Sequence, residues 1–356
     1  MSGIVKKFKR IFNFPNTQKQ NYDTWTTDMR VERMQNDIDF KNHCQHLLID
    51  HPNLEEEMKL WERIARIKID NPIDYDNYQK QYVEYYILQR EVFKFYVWLD
   101  TKFPKDYGFV NKALENLAYF TCVPRVHDER SNTSRGEYKR IFVNLHETDN
   151  YIGNKRTAVH EFGHSFEKSF DGTPYFDDGM REVCSCIIDN LYFEFAKEAH
   201  PDEADAIKCD QAFYLANNIE KAKKTLFEAH VVKVMNGQAT FDDLKNDYGD
   251  LYSEEYIRRR LRDVETFKFG DLHEGRYLIP QAIAKAFVDK FHENPEQAVR
   301  NLKGVMAKNT DLKLDDAIAK LGLNKKNILI DDFVDTLNDR YSGLSQVKTE
   351  EKTIQK

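Results

Sequence analysis

The feature that most constrains this chain is the stretch Thr157-Ala158-Val159-His160-Glu161-Phe162-Gly163-His164-Ser165-Phe166. Val159, Phe162, Gly163, Phe166 and Phe170 recur at helical spacing, so the stretch reads as a buried amphipathic helix, closed by the turn residues Asp171-Gly172. On such a helix His160 and His164 lie four residues apart and point the same way. Two imidazoles at that spacing can share one zinc ion. Glu161, beside the first of them, can then act as general base toward a water activated by the metal. The competing reading is a core helix whose two histidines are satisfied by hydrogen bonds alone.

A zinc site that activates water needs a third protein ligand and an open position. After the turn-rich segment Asp171–Gly179, a second helix is expected from about Met180 to Lys197, with Cys184, Ile187, Ile188, Leu191, Tyr192 and Phe195 as its core stripe. Glu182, Ser185, Cys186 and Asp189 form another stripe on a different face. Glu182, in the first turn, is the carboxylate expected on the metal, where the positive end of the helix dipole also favours it. Asp189, two turns on, could brace a ligand histidine from behind. The alternatives are that Glu182 is a surface acid and that Asp177, Asp178 or Glu194 serves instead.

Phe142-Val143-Asn144-Leu145, the Thr157–Ser165 stretch and Glu182-Val183-Cys184-Ser185 together resemble the catalytic core of the thimet oligopeptidase and oligoendopeptidase F family of zinc metallopeptidases. The resemblance implies a zincin-like core in which His160, His164 and Glu182 bind one zinc ion and Glu161 is the base. It also implies a later His/Tyr-rich helical segment that steadies the reaction's oxyanion. Here that segment is His273-Glu274-Gly275-Arg276-Tyr277-Leu278, and Met306–Leu337 reads like the family's closing helices. The resemblance covers about residues 141–337. The chain departs from the family in three ways. Glu167 stands where a histidine is frequent, the interval between the zinc helix and Glu182 is short, and Tyr277 stands where several tyrosines are usual. The chain is also shorter than a usual member, mainly before the core.

With 356 residues the chain can bury a full core, and 14 Gly and 9 Pro suit a helix-rich protein with short loops. A net charge of -7 argues against a general nucleic-acid binder. No run is long and apolar enough to predict stable membrane insertion. The five cysteines, Cys44, Cys122, Cys184, Cys186 and Cys209, form neither a disulfide framework nor a zinc ribbon. Met1–Phe14 is basic and amphipathic but lacks the apolar stretch of a secretory signal, so a reducing, cytoplasmic setting is expected.

The fold class expected is mainly α, with a small β-sheet and helices forming both walls of a cleft. The expected divisions are an N-terminal segment (1–22), a helical subdomain (23–121), a catalytic domain (122–344) and a frayed tail (345–356). Within the subdomain, helices are expected over Asp23–Ile49, after a capping box at Asn53 and Glu56, and from about Asp76 to Thr101. Lys139–Leu145 is the best strand, and an exposed edge there could pair with an extended peptide. Further helices are expected over Asp202–Val234, from the capped start at Thr240 and Asp243 to about Lys268, and from the His273–Tyr277 region to about His292. The arginines at 258, 259, 260 and 262 read as a solvated face. If the last of these helices borders the cleft, Tyr277 or His273 could donate to a developing oxyanion; otherwise they are a packed tyrosine and a capping histidine.

These expectations describe a zinc endopeptidase acting on oligopeptides or unfolded protein. Two other readings stand beside it: a protease dedicated to one protein target, and a non-catalytic binding module stabilised by zinc.

Overall fold

A computed structural model describes residues 27–51, 53–67, 85–102, 108–111, 120–124, 132–135, 141–145, 151–265, 272, 275 and 277–324. In order, the elements used below are α1 (Thr27–Asn36), α2 (Ile38–Asp50), α3 (Leu54–Ala65), α4 (Tyr85–Thr101), β1 (Phe120–Pro124), β2 (Asn132–Arg135), β3 (Ile141–Leu145), α5 (Tyr151–Gly163), α6 (Val183–Ala199), α7 (Ala204–Met235), α8 (Phe241–Tyr248), α9 (Glu254–Glu265), α10 (Leu278–Glu293), α11 (Pro295–Met306) and α12 (Leu314–Lys320). The protein is mainly helical, as its periodicity and its few Gly and Pro residues led us to expect.

Two compact units divide the chain, and the division falls within α7. One comprises Met1–Pro52 and Glu228–Asp271; the other comprises Asn53–Phe227 and Leu272–Lys356. In the first, α1 packs on α9 and α2. The capped start expected at Thr240 and Asp243 is a capping box at the head of α8, with Asp243 N donating to Thr240 Oγ1 at 3.2 Å and Thr240 N to Asp243 Oδ2 at 2.6 Å. The single helix expected from there to Lys268 is two helices. Gly249 follows α8, and α9 begins afresh behind Ser253, whose Oγ accepts from Tyr256 N at 3.1 Å. His230 is buried, with Nε2 3.1 Å from the Thr240 carbonyl oxygen.

In the second unit, α6 runs through the middle of the packing, touching α10, α5, α4 and α11. Its predicted core stripe holds: Cys184, Ile187, Ile188, Leu191, Tyr192 and Phe195 are buried. They meet Val92, Phe95, Tyr96 and Leu99 of α4, Val159 and Phe162 of α5, and Ile283 and Phe287 of α10 in one cluster. The aromatic density of α4 is thus helix-on-helix packing, with Phe95 of α4 edge-to-face against Phe195 of α6 at 5.7 Å. The contact of α5 with α4 and α6 is close enough to require glycine. A Cβ on Gly163 would stand 2.6 Å from Ile188 Cδ1 and 2.9 Å from Tyr96 Oη. Tyr96 Oη donates instead to the Val159 carbonyl at 2.9 Å. Asn53 precedes α3 as expected, but its side chain accepts no capping hydrogen bond. Asn294, by contrast, does cap α11, accepting from Gln297 N at 3.1 Å.

The strands form a sheet of order β1-β3-β2, with β1 parallel and β2 antiparallel to β3. The predicted strand is therefore the central one. Its two hydrogen-bonding edges are both paired, which overturns the expectation that β3 offers an edge to an extended peptide. Among the described residues, β1 and β2 are the outer strands.

Candidate metal centre

All described site residues belong to the second unit. The α-helix begins at Tyr151, earlier than expected, and stops at Gly163. His164–Phe166 is a 3-10 turn, Glu167 is extended (φ -79°, ψ 145°), and a second 3-10 turn over Lys168–Asp171 ends at Gly172. The continuous helix expected as far as Phe170 is therefore broken at Glu167, where the backbone turns the carboxylate inward. The apolar face survives the break: Val159, Phe162 and Phe166 are buried, and Phe170 packs against the same core.

Glu182 is the residue just before α6 rather than part of its first turn. Its Oε2 lies 3.7 Å from His160 Nε2 and 3.9 Å from His164 Nε2. Among the described residues, His160, His164 and Glu182 are the group whose donor atoms converge enough to hold a metal ion, all within 4.8 Å of one another. Donors on a tetrahedral zinc at roughly 2.0–2.1 Å stand about 3.4 Å apart, so small adjustments bring this set into range. The donor chemistry, two imidazoles and a carboxylate, also suits zinc. Asp177 is occupied elsewhere, accepting from Gly179 N and Leu314 N, and Glu194 pairs with Lys197 and His292.

Each imidazole has a carboxylate on its other nitrogen. His160 Nδ1 is 2.9 Å from Asp189 Oδ2, the brace anticipated from the α6 stripe. Asp189 also receives Arg156 Nη1 at 3.1 Å and Tyr214 Oη at 2.9 Å. Arg156 Nε in turn reaches Asp210 Oδ2 at 3.0 Å, and Gln281 Nε2 bonds Tyr214 Oη. On the other side, His164 Nδ1 is 3.5 Å from Glu167 Oε1. Glu167 Oε2 accepts from Tyr175 Oη and Asn309 Nδ2, both at 2.8 Å, and from Ser169 Oγ at 3.2 Å.

These neighbours set the electrostatics. Burial alone would lower both imidazoles, but Asp189 raises His160 above its ordinary value, and Glu167, Glu182 and Glu161 raise His164 to about 10. Asp189 would be raised by burial, yet His160 and Arg156 hold it down to about 2. Such a site is rich in negative charge and favours a cation, and a bound dication would compete with protons for the imidazoles. Glu161 is buried beside His160 and close enough to act on both rings electrostatically.

Ser185 Oγ stands 3.2 Å from Glu182 Oε2 and 3.3 Å from His164 Nε2. Tyr277, immediately before α10, donates its hydroxyl to Glu182 Oε1 at 3.3 Å, and Lys221 lies 4.3 Å over its ring. Two residues earlier the backbone passes close to Thr225 and Trp61 at Gly275, where a Cβ would stand 2.8 Å from each. His273 lies outside the described residues. Cys186, which could have faced the site, is buried, and burial pushes its thiol pKa well up.

The sequence did not disclose Arg156, Asp210, Tyr214, Gln281 or the use made of Glu167. Arg156 alone carried a local signal, since it precedes His160 by one helical turn. Asp210 and Tyr214 arrive from α7 and Gln281 from α10, and the use made of Glu167 depends on Asn309 in the segment before α12.

No family model matches the chain, and no curated protein matches it. Two solved structures do. One is a Bacillus anthracis protein assigned as an oligoendopeptidase F, with a TM-score of 0.50 at 13% identity over 95% of this chain. The other is PZ peptidase A with an inhibitor, with a TM-score of 0.50 at 14% identity over 88% of this chain. The chain spans 60% and 62% of their lengths. At these identities the likeness is one of fold, and this chain shares the helical architecture of those two peptidases.

Proposed function

We propose that the protein is a zinc-dependent endopeptidase that hydrolyses oligopeptides. The observation that carries this reading is the convergence of His160 Nε2, His164 Nε2 and Glu182 Oε2, with Glu161 beside the first of them. Architecture shared with two peptidases supports it. When bound, zinc would supply Lewis acidity, lowering the pKa of a water and polarising the scissile carbonyl.

The chain's own residues divide the remaining work. His160 and His164 present Nε2, while carboxylates face Nδ1 and favour the proton there. Glu182 offers Oε2, and the hydroxyls of Ser185 and Tyr277 fix its carboxylate plane. Glu161 takes a proton from the attacking water and returns it to the leaving amine. Tyr277 Oη would turn its single proton from Glu182 to the carbonyl oxygen as that oxygen gains charge. His273 remains a second candidate for that donation. Peptide or unfolded protein is the substrate class, and no helix among the described residues is long and apolar enough to cross a membrane.

Glu161→Gln separates catalysis from metal binding. The variant should keep its zinc and lose about 10²–10⁴-fold in turnover of a quenched peptide. Full turnover would remove Glu161 from the mechanism. Chelation discriminates against a purely structural site: a catalytic centre goes silent while the fold largely survives, whereas a structural site unfolds.

A further inference from the structure

We propose that Glu167 is a positioning residue for His164, holding the Nδ1 side of that imidazole so that Nε2 faces Glu182 and His160. The inference rests on the metal-centre reading and deepens it. Glu167 is buried, and its two oxygens are used differently. Oε2 takes three donors, from Tyr175, Asn309 and Ser169. Oε1 is shielded from solvent, has no hydrogen-bond partner, and lies 3.5 Å from His164 Nδ1. A buried carboxylate oxygen left without a donor is costly, so the nearby imidazole N–H is its natural partner. A slight rotation of the ring closes the remaining gap.

The backbone is built for this contact. The α-helix ends at Gly163, and the extended conformation at Glu167 between two 3-10 turns directs the side chain back under His164. The turn is also fastened from far along the chain. Asn309 donates to Glu167 and accepts from Ser169 N at 3.3 Å, Phe176 N donates to the Thr310 carbonyl at 3.1 Å, and Lys168 pairs with Asp311 at 2.5 Å. The segment before α12 thus fixes the carboxylate that orients a ligand donor.

The test is zinc affinity of the full chain, measured by competition with a chromophoric chelator. In Glu167→Gln a single carbonyl oxygen can face His164 or the three donors, but not both. The expected result is about 10–100-fold weaker zinc binding by the folded variant. Asn309→Ala, which touches no ligand, should weaken binding in the same direction and by less. Unchanged affinity in folded Glu167→Gln overturns the proposal. Should that variant not fold, nitrogen-15 NMR of the zinc-loaded wild type decides: the His164 proton is expected on Nδ1 and protected from exchange, and a proton on Nε2 refutes the assignment. A wild type that holds no zinc sinks the metal-centre reading and this inference together. Normal wild-type binding with an indifferent Glu167→Gln sinks this inference alone.

Discussion

His160 and His164 stand one helical turn apart and are held by different chemistry. Behind His160 the carboxylate is ionic: Asp189 is paired with Arg156, and Arg156 is shared with Asp210, all three side chains largely buried. Behind His164 it is held by neutral donors alone, two hydroxyls and an amide. The first network joins α5, α6 and α7, regular elements whose positions are set by the core. The second is made by 3-10 turns and the loop before α12. Charge pairing keeps a carboxylate ionised deep in the protein, while neutral donors fix its direction without adding a compensating charge. The same function, orienting an imidazole, is thus served once by the core and once by local turns.

Substitutions can break that contrast, and the largest effect is expected at Asp189. Asp189→Asn removes a charge from a buried network and leaves Arg156 with Asp210 alone. A loss of about 3–5 kcal/mol in the stability of the metal-free protein is expected by urea unfolding. Loss of zinc affinity without loss of stability would place Asp189 on the same footing as Glu167. Glu167→Gln comes next, at about 1–3 kcal/mol, because the charge left behind, on His164, still faces Glu182 and Glu161. An equal cost for the two would erase the distinction.

Gly163→Ala sharpens the comparison by acting between the two histidines. The added methyl meets Ile188 and Tyr96, so about 1–3 kcal/mol of thermal stability should be lost. The His164 turn follows the crowded position directly, so zinc affinity should fall as well. Unaltered affinity would show that the turn absorbs the strain.

Glu91 offers an ion-paired carboxylate away from the site. Burial would raise it, but His200 at 2.6 Å, Lys155 and the Tyr192 hydroxyl hold it below its ordinary value of 4.5. The folded protein therefore binds this proton more weakly than the unfolded chain. The stabilisation is present above about pH 4.5 and is lost as pH falls through the depressed value. Glu91→Gln should be less stable than wild type near neutrality, with the gap narrowing on acidification. A gap independent of pH would mean that the carboxylate's charge contributes nothing.

What the sequence disclosed follows the same division. Periodicity placed α5, α6, α7 and α10 and put Asp189 on the face of α6 expected to brace a ligand histidine, because Asp189 and His160 both sit on helices whose spacing is fixed. Three things escaped it. The 3-10 break at Glu167 depends on donors from Tyr175 and Asn309, far apart in the chain. The break between α8 and α9 was hidden by a run that stays helical in composition, although Ser253 carried a cap signal. The central position of β3 depends on pairings that no single strand records.

Zinc content after equilibrium dialysis, measured side by side on the wild type, His160→Ala, His164→Ala and Glu182→Gln, tests the proposed centre most directly. The wild type should hold about one ion per chain and the histidine variants almost none, with Glu182→Gln strongly weakened. A wild type without zinc, or histidine variants that retain it in full, would contradict the assignment.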